Sequence, residues 1–148
     1  MKNITLFFAA AIIWTLASCG SKTPAVPVSD LVKKVWTANI VKHDATVVFT
    51  KGAASNQFAG YSNFKLNLAS PPTVTMTDFD GNTFSGQYSL PTDTQLVLTN
   101  LNPAPTGTGG TITFTISSTP TDTQLNLART TASQKTGGTT NTYQLVNP

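Results

Sequence analysis

From Leu31 to the C-terminus, apolar residues recur at every second position, and the residues between them are mostly Thr, Ser, Asn and Gln. That period belongs to the pleated strand, whose successive side chains point to opposite faces. Trp36, Ala38 and Ile40 alternate with Thr37, Asn39 and Val41, and Val47 and Phe49 with Thr46, Val48 and Thr50. Phe64, Leu66 and Leu68 follow, then Val74 and Met76, then Phe84, Gly86, Tyr88 and Leu90. Leu96 and Leu98, Ile112, Phe114 and Ile116, Leu125 and Leu127, and Tyr143 and Leu145 complete the set. Residues 51–57, Pro71-Pro72 and Asp80-Gly81 interrupt it, the last being a strong hairpin dipeptide. Asp30 or Ser29 can cap one helical turn at 31–34, and no longer segment after it has a helical period. About nine short strands result. The expected class is all-β, an antiparallel up-and-down barrel of about 8–9 strands, with a two-layer β-sandwich as the alternative.

A short repeat supports the meander. PTDTQL occurs at residues 91–96 and again at 120–125, each copy between two strand-like runs. Proline pre-sets a turn, and Thr-Asp-Thr can bond its own backbone, so both copies read as connections on one rim of the sheet.

The aromatic residues Trp36, Phe49, Phe64, Phe84, Tyr88, Phe114 and Tyr143 all fall on inward positions. They make either a packed core or the lining of a cavity for one small apolar ligand, which an eight-stranded barrel can hold. Gly86 and Ala38 leave room for the second reading. An interaction module would instead expose aromatics, and Phe58, Tyr61 and Phe79 in loop-like segments are its candidates.

Chemistry is sparse. Only 10% of the 148 residues are charged, and the net charge is +3, too little for a nucleic-acid surface. There is one Cys, one His and no Glu. His43 is followed by Asp44 in a turn-like stretch, where both side chains would be solvated. Asp78, Asp80 and Asn82 hint at a cation loop, but the spacing fits a hairpin turn better than a calcium loop. Glycines 107, 109, 110, 137 and 138 open no helix and make no phosphate loop. The expectation is a protein that is not an enzyme, with no cofactor and no metal.

The N-terminus reads as targeting rather than fold. Lys2 is followed by an apolar run from Leu6 to Leu16, then by Leu16-Ala17-Ser18-Cys19. These four residues resemble the lipobox of bacterial lipoproteins. The resemblance implies cleavage before Cys19, lipidation of Cys19, and a partner in the membrane itself. Residues 1–18 are then the signal peptide, 19–29 the lipidated Cys and an extended tether, and 30–148 the barrel domain. More than one acyl chain holds a protein stably on a bilayer. Gly20-Ser21-Lys22 lacks the acidic run of surface-exported lipoproteins, which favours the outer membrane with the protein facing the periplasm.

Taken together, a lipidated Cys, a short tether, one helical turn, Trp36 at the start of the first strand, and a hairpin bearing Asp80, Gly81, Asn82, Gly86 and Tyr88 resemble the lipocalin-like, calycin-type lipoproteins of Bacteroidota. The resemblance spans residues 31–146. It implies a non-catalytic envelope protein that holds a small apolar ligand or binds an envelope protein, or else a purely structural one with a filled core. It also implies that a late-strand Arg lies over the first-strand Trp. Arg129 is the chain's one Arg and shares a face with Leu125 and Leu127, so the expected barrel-closing pair is Trp36 with Arg129.

Overall fold

A computed structural model describes residues 24–148, so Cys19 and the residues around it lie outside the described part. A single helical turn, α1 (Val28–Leu31), precedes nine strands. These are β1 (Val35–His43), β2 (Thr46–Thr50), β3 (Lys65–Ser70), β4 (Thr73–Thr77), β5 (Thr83–Thr92), β6 (Gln95–Asn102), β7 (Ile112–Ile116), β8 (Gln124–Arg129) and β9 (Asn141–Val146). All neighbours are antiparallel, and β9 returns to pair with β1 from Thr37↔Val146 to His43↔Asn141. The result is a closed eight-stranded barrel with β2 as an extra strand.

The extra strand arises because β1 shares one edge between two partners. Its first residues, Val35 to Thr37, pair with β3, and its last, Ile40 to His43, pair with β2. Between β2 and β3 the chain makes a 3₁₀ turn, Ala59–Asn63, that carries Tyr61 into the wall. Gly60 permits this, since a side chain there would strike the Phe79 carbonyl.

Strict alternation fails in β1 and β2 for one reason, which is bulging. The register of β1 against β9 shifts between Ala38 and Ile40, so the inward set becomes Trp36, Ala38, Val41 and His43. Ile40, expected inside, is only half-buried, and Val41, expected outside, is fully buried. In β2 an irregularity leaves Val48 without a partner in β1, and Val48 and Phe49 are both buried while Val47 is exposed. One extra residue in a strand reverses every later side chain. From β3 onward the period holds except at Asn100 in β6, where a register shift buries Leu101; Leu66, Leu68, Val74, Leu96, Leu98, Leu125 and Leu145 are completely buried.

One end is closed by α1. Val32, just beyond it, is fully buried, and its carbonyl accepts a 2.9 Å hydrogen bond from Trp36 Nε1. The two PTDTQL copies sit on this same rim, since β5–β6 and β7–β8 are alternate connections of an up-and-down meander. Their forms differ. In the first, Thr92 pairs with Gln95 across Asp93-Thr94 alone. The second lies in the longer connection from Ile116 to Gln124, and Lys34 Nζ reaches its Asp122 carboxylate at 2.7 Å. Leu96, Ile116 and Leu125 are buried as their parity requires, and Leu90 packs against the core.

Gly86 does not leave room for a ligand. The β5–β6 register shifts beside it, Asn100 adopts φ 54, and the backbone of β6 moves in to fill the space. A Cβ at Gly86 would meet the Thr99 carbonyl oxygen at 2.5 Å. Gly86→Ala is therefore expected to lower stability by roughly 1–3 kcal/mol, the range for overpacking. A urea titration of the two proteins checks this, and equal midpoints would refute it.

Candidate functional site

The interior is filled. Trp36, Phe49, Phe64, Phe84, Tyr88, Phe114 and Tyr143 are all buried, as their parity predicts. Phe64 and Tyr143 stack with ring centres 5.0 Å apart, and Phe114 meets Tyr143 edge-on at 6.1 Å. Tyr88 Oη donates to the Leu68 carbonyl at 2.9 Å. Inside the barrel there remains a cavity of about 20 Å³ beneath the loops of the distal end, opposite α1. Sites for small organic ligands run to roughly 300–1,000 Å³. A space of this size takes one or two waters.

Trp36 and Arg129 are not brought together. Arg129 ends β8 opposite Phe114, while Trp36 lies near the start of β1 under the Val32 carbonyl. Ala128 is level with Thr142, and Thr142 with Lys42, at the far end of β1 from Trp36. At about 3.3 Å per residue the two side chains start roughly 20 Å apart. Arg129 is indeed on the inner face, but at the other mouth.

That distal mouth holds most of the polar chemistry. It is formed by the turn at residues 78–82, the β6–β7 connection at 103–111 and the β8–β9 connection at 130–140. His43, expected in a solvated turn, is the last residue of β1 and is buried, because the bulge turned it inward. Its Nε2 lies 2.8 Å from Tyr61 Oη. Asn141 Nδ2, also buried, donates to Tyr143 Oη at 3.4 Å and to Tyr61 Oη at 3.5 Å. Asn141 Oδ1 accepts from Thr139 Oγ1 at 2.9 Å and Thr136 Oγ1 at 3.2 Å.

Around this network the rings of His43, Phe58, Tyr61, Phe79, Phe64 and Tyr143 pack in a continuous chain with centres 4.6–6.4 Å apart. Phe58, Tyr61 and Phe79 are thus no exposed patch. Tyr61 is fully buried, and the two Phe pack against the core. The acidic turn is a hairpin closed by Asp78 N to the Asn82 carbonyl, 2.9 Å, and by Gly81 at φ 82. Its carboxylates take a cation from the chain itself. Lys135 Nζ contacts Asp78 Oδ2 at 3.2 Å and also Asp80 Oδ2. The same ammonium lies 5.4 Å from the Phe84 ring centre and 5.7 Å from that of Phe79.

The environment shifts each group in a definite direction. Burial lowers His43, and the Asp44 charge opposes this only in part. Burial raises Tyr61 far above a normal phenol, with the Tyr143 and Asp78 charges adding to it. Tyr143 is pushed up to about 12, chiefly by burial. For Asp80, burial would raise the carboxyl, but the hydrogen bonds from Lys135 and Asn82 outweigh it and hold it low. For Lys135, burial would lower the ammonium, and the two carboxylates reverse this. Lys135, Asn141 and Ser133 are invisible to pattern reading, since they reach the mouth from a loop and from a strand end.

No protein-family model matches the chain, and neither a curated protein nor a solved structure does so.

The lowered His43 predicts an acid-sensitive step. Its folded value lies below its unfolded value of 6.5, so the unfolded chain takes up the proton first. Stability should be complete above about pH 6.5 and fall as pH drops toward the folded value. Asp80, whose usual value is 3.8, plays no part in that window. Urea unfolding between pH 7.5 and about pH 5 should show the loss, and His43→Gln should flatten it. A wild-type profile flat across that range would contradict a buried neutral His43.

Proposed function

We propose that this chain is a non-catalytic, lipid-anchored lipoprotein of the cell envelope, lipocalin-like in type. In this reading it acts through contacts of its surface rather than by enclosing an apolar ligand. The observation that carries it is the filled interior: about 20 Å³ remains where a ligand of even modest size needs over ten times that. The aromatic set is a core and not a lining. The single His is mostly buried, and its Nε2 is engaged with Tyr61 Oη.

The anchor rests on the lipobox-like Leu16-Ala17-Ser18-Cys19. Supporting geometry comes from the first described residues. Ala25 to Val28 run along the α1 end, beside Asp93, Thr94 and residues 116–119. A chain tethered there would hold its distal loops away from the lipid. The barrel closure of β1 on β9, and the helical turn under Trp36, support the lipocalin-like type. The partner would be an envelope protein, met by the distal loops or the Thr-rich outer wall. The absence of acid in Gly20-Ser21-Lys22 favours the periplasmic face of the outer membrane.

Two measurements test this. Cells fed radiolabelled palmitate should label the wild-type protein, whereas Cys19→Ser should take up no label and leave the membrane fraction. An unlabelled wild type would end the anchor. The purified protein should show no saturable binding of a fluorescent fatty acid at micromolar concentration, and tight binding would overturn the packed-core reading.

A further inference from the structure

The distal mouth contains a half-buried cation, Arg129, one of whose N–H groups finds no partner among the described residues. Arg129 turns inward beside Phe114, and its Nε is buried without a hydrogen-bond partner. Among the described residues its guanidinium is in none of the ion pairs, which all belong to Lys33, Lys34 and Lys135. A buried N–H without an acceptor costs free energy, and native proteins rarely leave one so.

The natural counter-ion is present and engaged elsewhere. Asp78 lines the same cavity, but its Oδ1 accepts from the Phe79 amide at 2.8 Å and its Oδ2 from Lys135 at 3.2 Å. Asp80 also goes to Lys135. Two carboxylates thus serve one ammonium, and the guanidinium is left over. Asn141 Oδ1, also on the lining, already receives two threonine hydroxyls.

We propose that the cavity under the distal loops is a binding site for a monovalent anion of chloride size, held by the Arg129 guanidinium with the Tyr143 hydroxyl beside it. Three properties of the lining select that class. The first is the charged donor. Arg129 Nε is a buried N–H on a cation without a partner, and a halide, which only accepts, matches it without needing acceptors of its own, whereas a water must also place two protons. The second is size. About 20 Å³ admits one or two water-sized bodies and excludes a tetrahedral oxyanion. The third is charge. Arg129 and Lys135 against Asp78 and Asp80 sum to zero, which tolerates one added negative charge better than two. The site needs neither the lipid anchor nor the surface role proposed above.

Bromide is the probe, as a heavy stand-in for chloride. Crystals of the full chain grown with sodium bromide should show an anomalous peak at hydrogen-bond distance from Arg129 Nε. A water there, with no bromide signal, overturns the proposal. In solution, sodium chloride or bromide should raise the melting temperature saturably by about 2–4 °C relative to sodium gluconate at equal ionic strength. Arg129→Gln, which keeps the length and removes the charge, should lose this increment. An identical response to gluconate means general ionic strength only and overturns the site. Should the variant not fold, the wild-type bromide map decides by itself.

Discussion

The architecture depends on β1, which must satisfy three strands with two edges. Pairing with β9 closes the barrel, and that closure removes the open flanks a nine-stranded meander would otherwise leave. The other edge is divided, with β3 taking the start of the strand and β2 its end. A wedge opens where those two diverge. The 3₁₀ turn with Tyr61 fills it, and the ring chain from His43 to Tyr143 follows from having to pack that wedge without water. The polar mouth is in this sense a by-product of strand pairing, since the side chains sealing the wedge carry hydroxyl and imidazole groups that need partners of their own.

Charge at the mouth is arranged by the same pressure. Asp78 and Lys135 come from different hairpins and are both mostly buried, at 15% and 18% side-chain exposure. Each would be costly alone, and together with Asp80 they form a clamp that fixes the β4–β5 turn against the β8–β9 loop. The clamp consumes both carboxylates. Arg129 is left inside the wall with an unanswered N–H for that reason, and not for lack of acidic residues nearby.

Much of the fold was legible because period two is a local property. Each run from Phe64 to Leu145 announces its inward face without reference to its neighbours, and the Asp80-Gly81 turn and the PTDTQL copies mark connections in the same local way. What could not be read are the events that depend on a partner strand. The bulge at Ala38–Ile40 exists only against β9, and it is what buries His43 and Val41. The irregularity at Val48 exists only against β1. Arg129 shows the limit from the other side. Its parity was readable and correct, but the mouth it occupies is set by barrel shear, which residue alternation does not encode. Lys135 and Asn141 meet Asp78 and Tyr61 across long sequence separations and carry no local signal at all.

The outer flank of β2 has a different significance. Among the described residues it is the strand edge that barrel closure leaves over, and Val47 beside it is exposed. Asn56 lies along this flank like a length of borrowed backbone, its Oδ1 receiving the Thr50 amide at 2.7 Å and its Nδ2 donating to the Thr50 carbonyl at 3.1 Å. The Phe58 amide takes the Val48 carbonyl at 3.1 Å. A neighbouring copy of the chain therefore finds these backbone groups already matched. The Asn56 side chain and the Phe58 amide thus cover part of the edge along which the sheets of separate molecules would otherwise join.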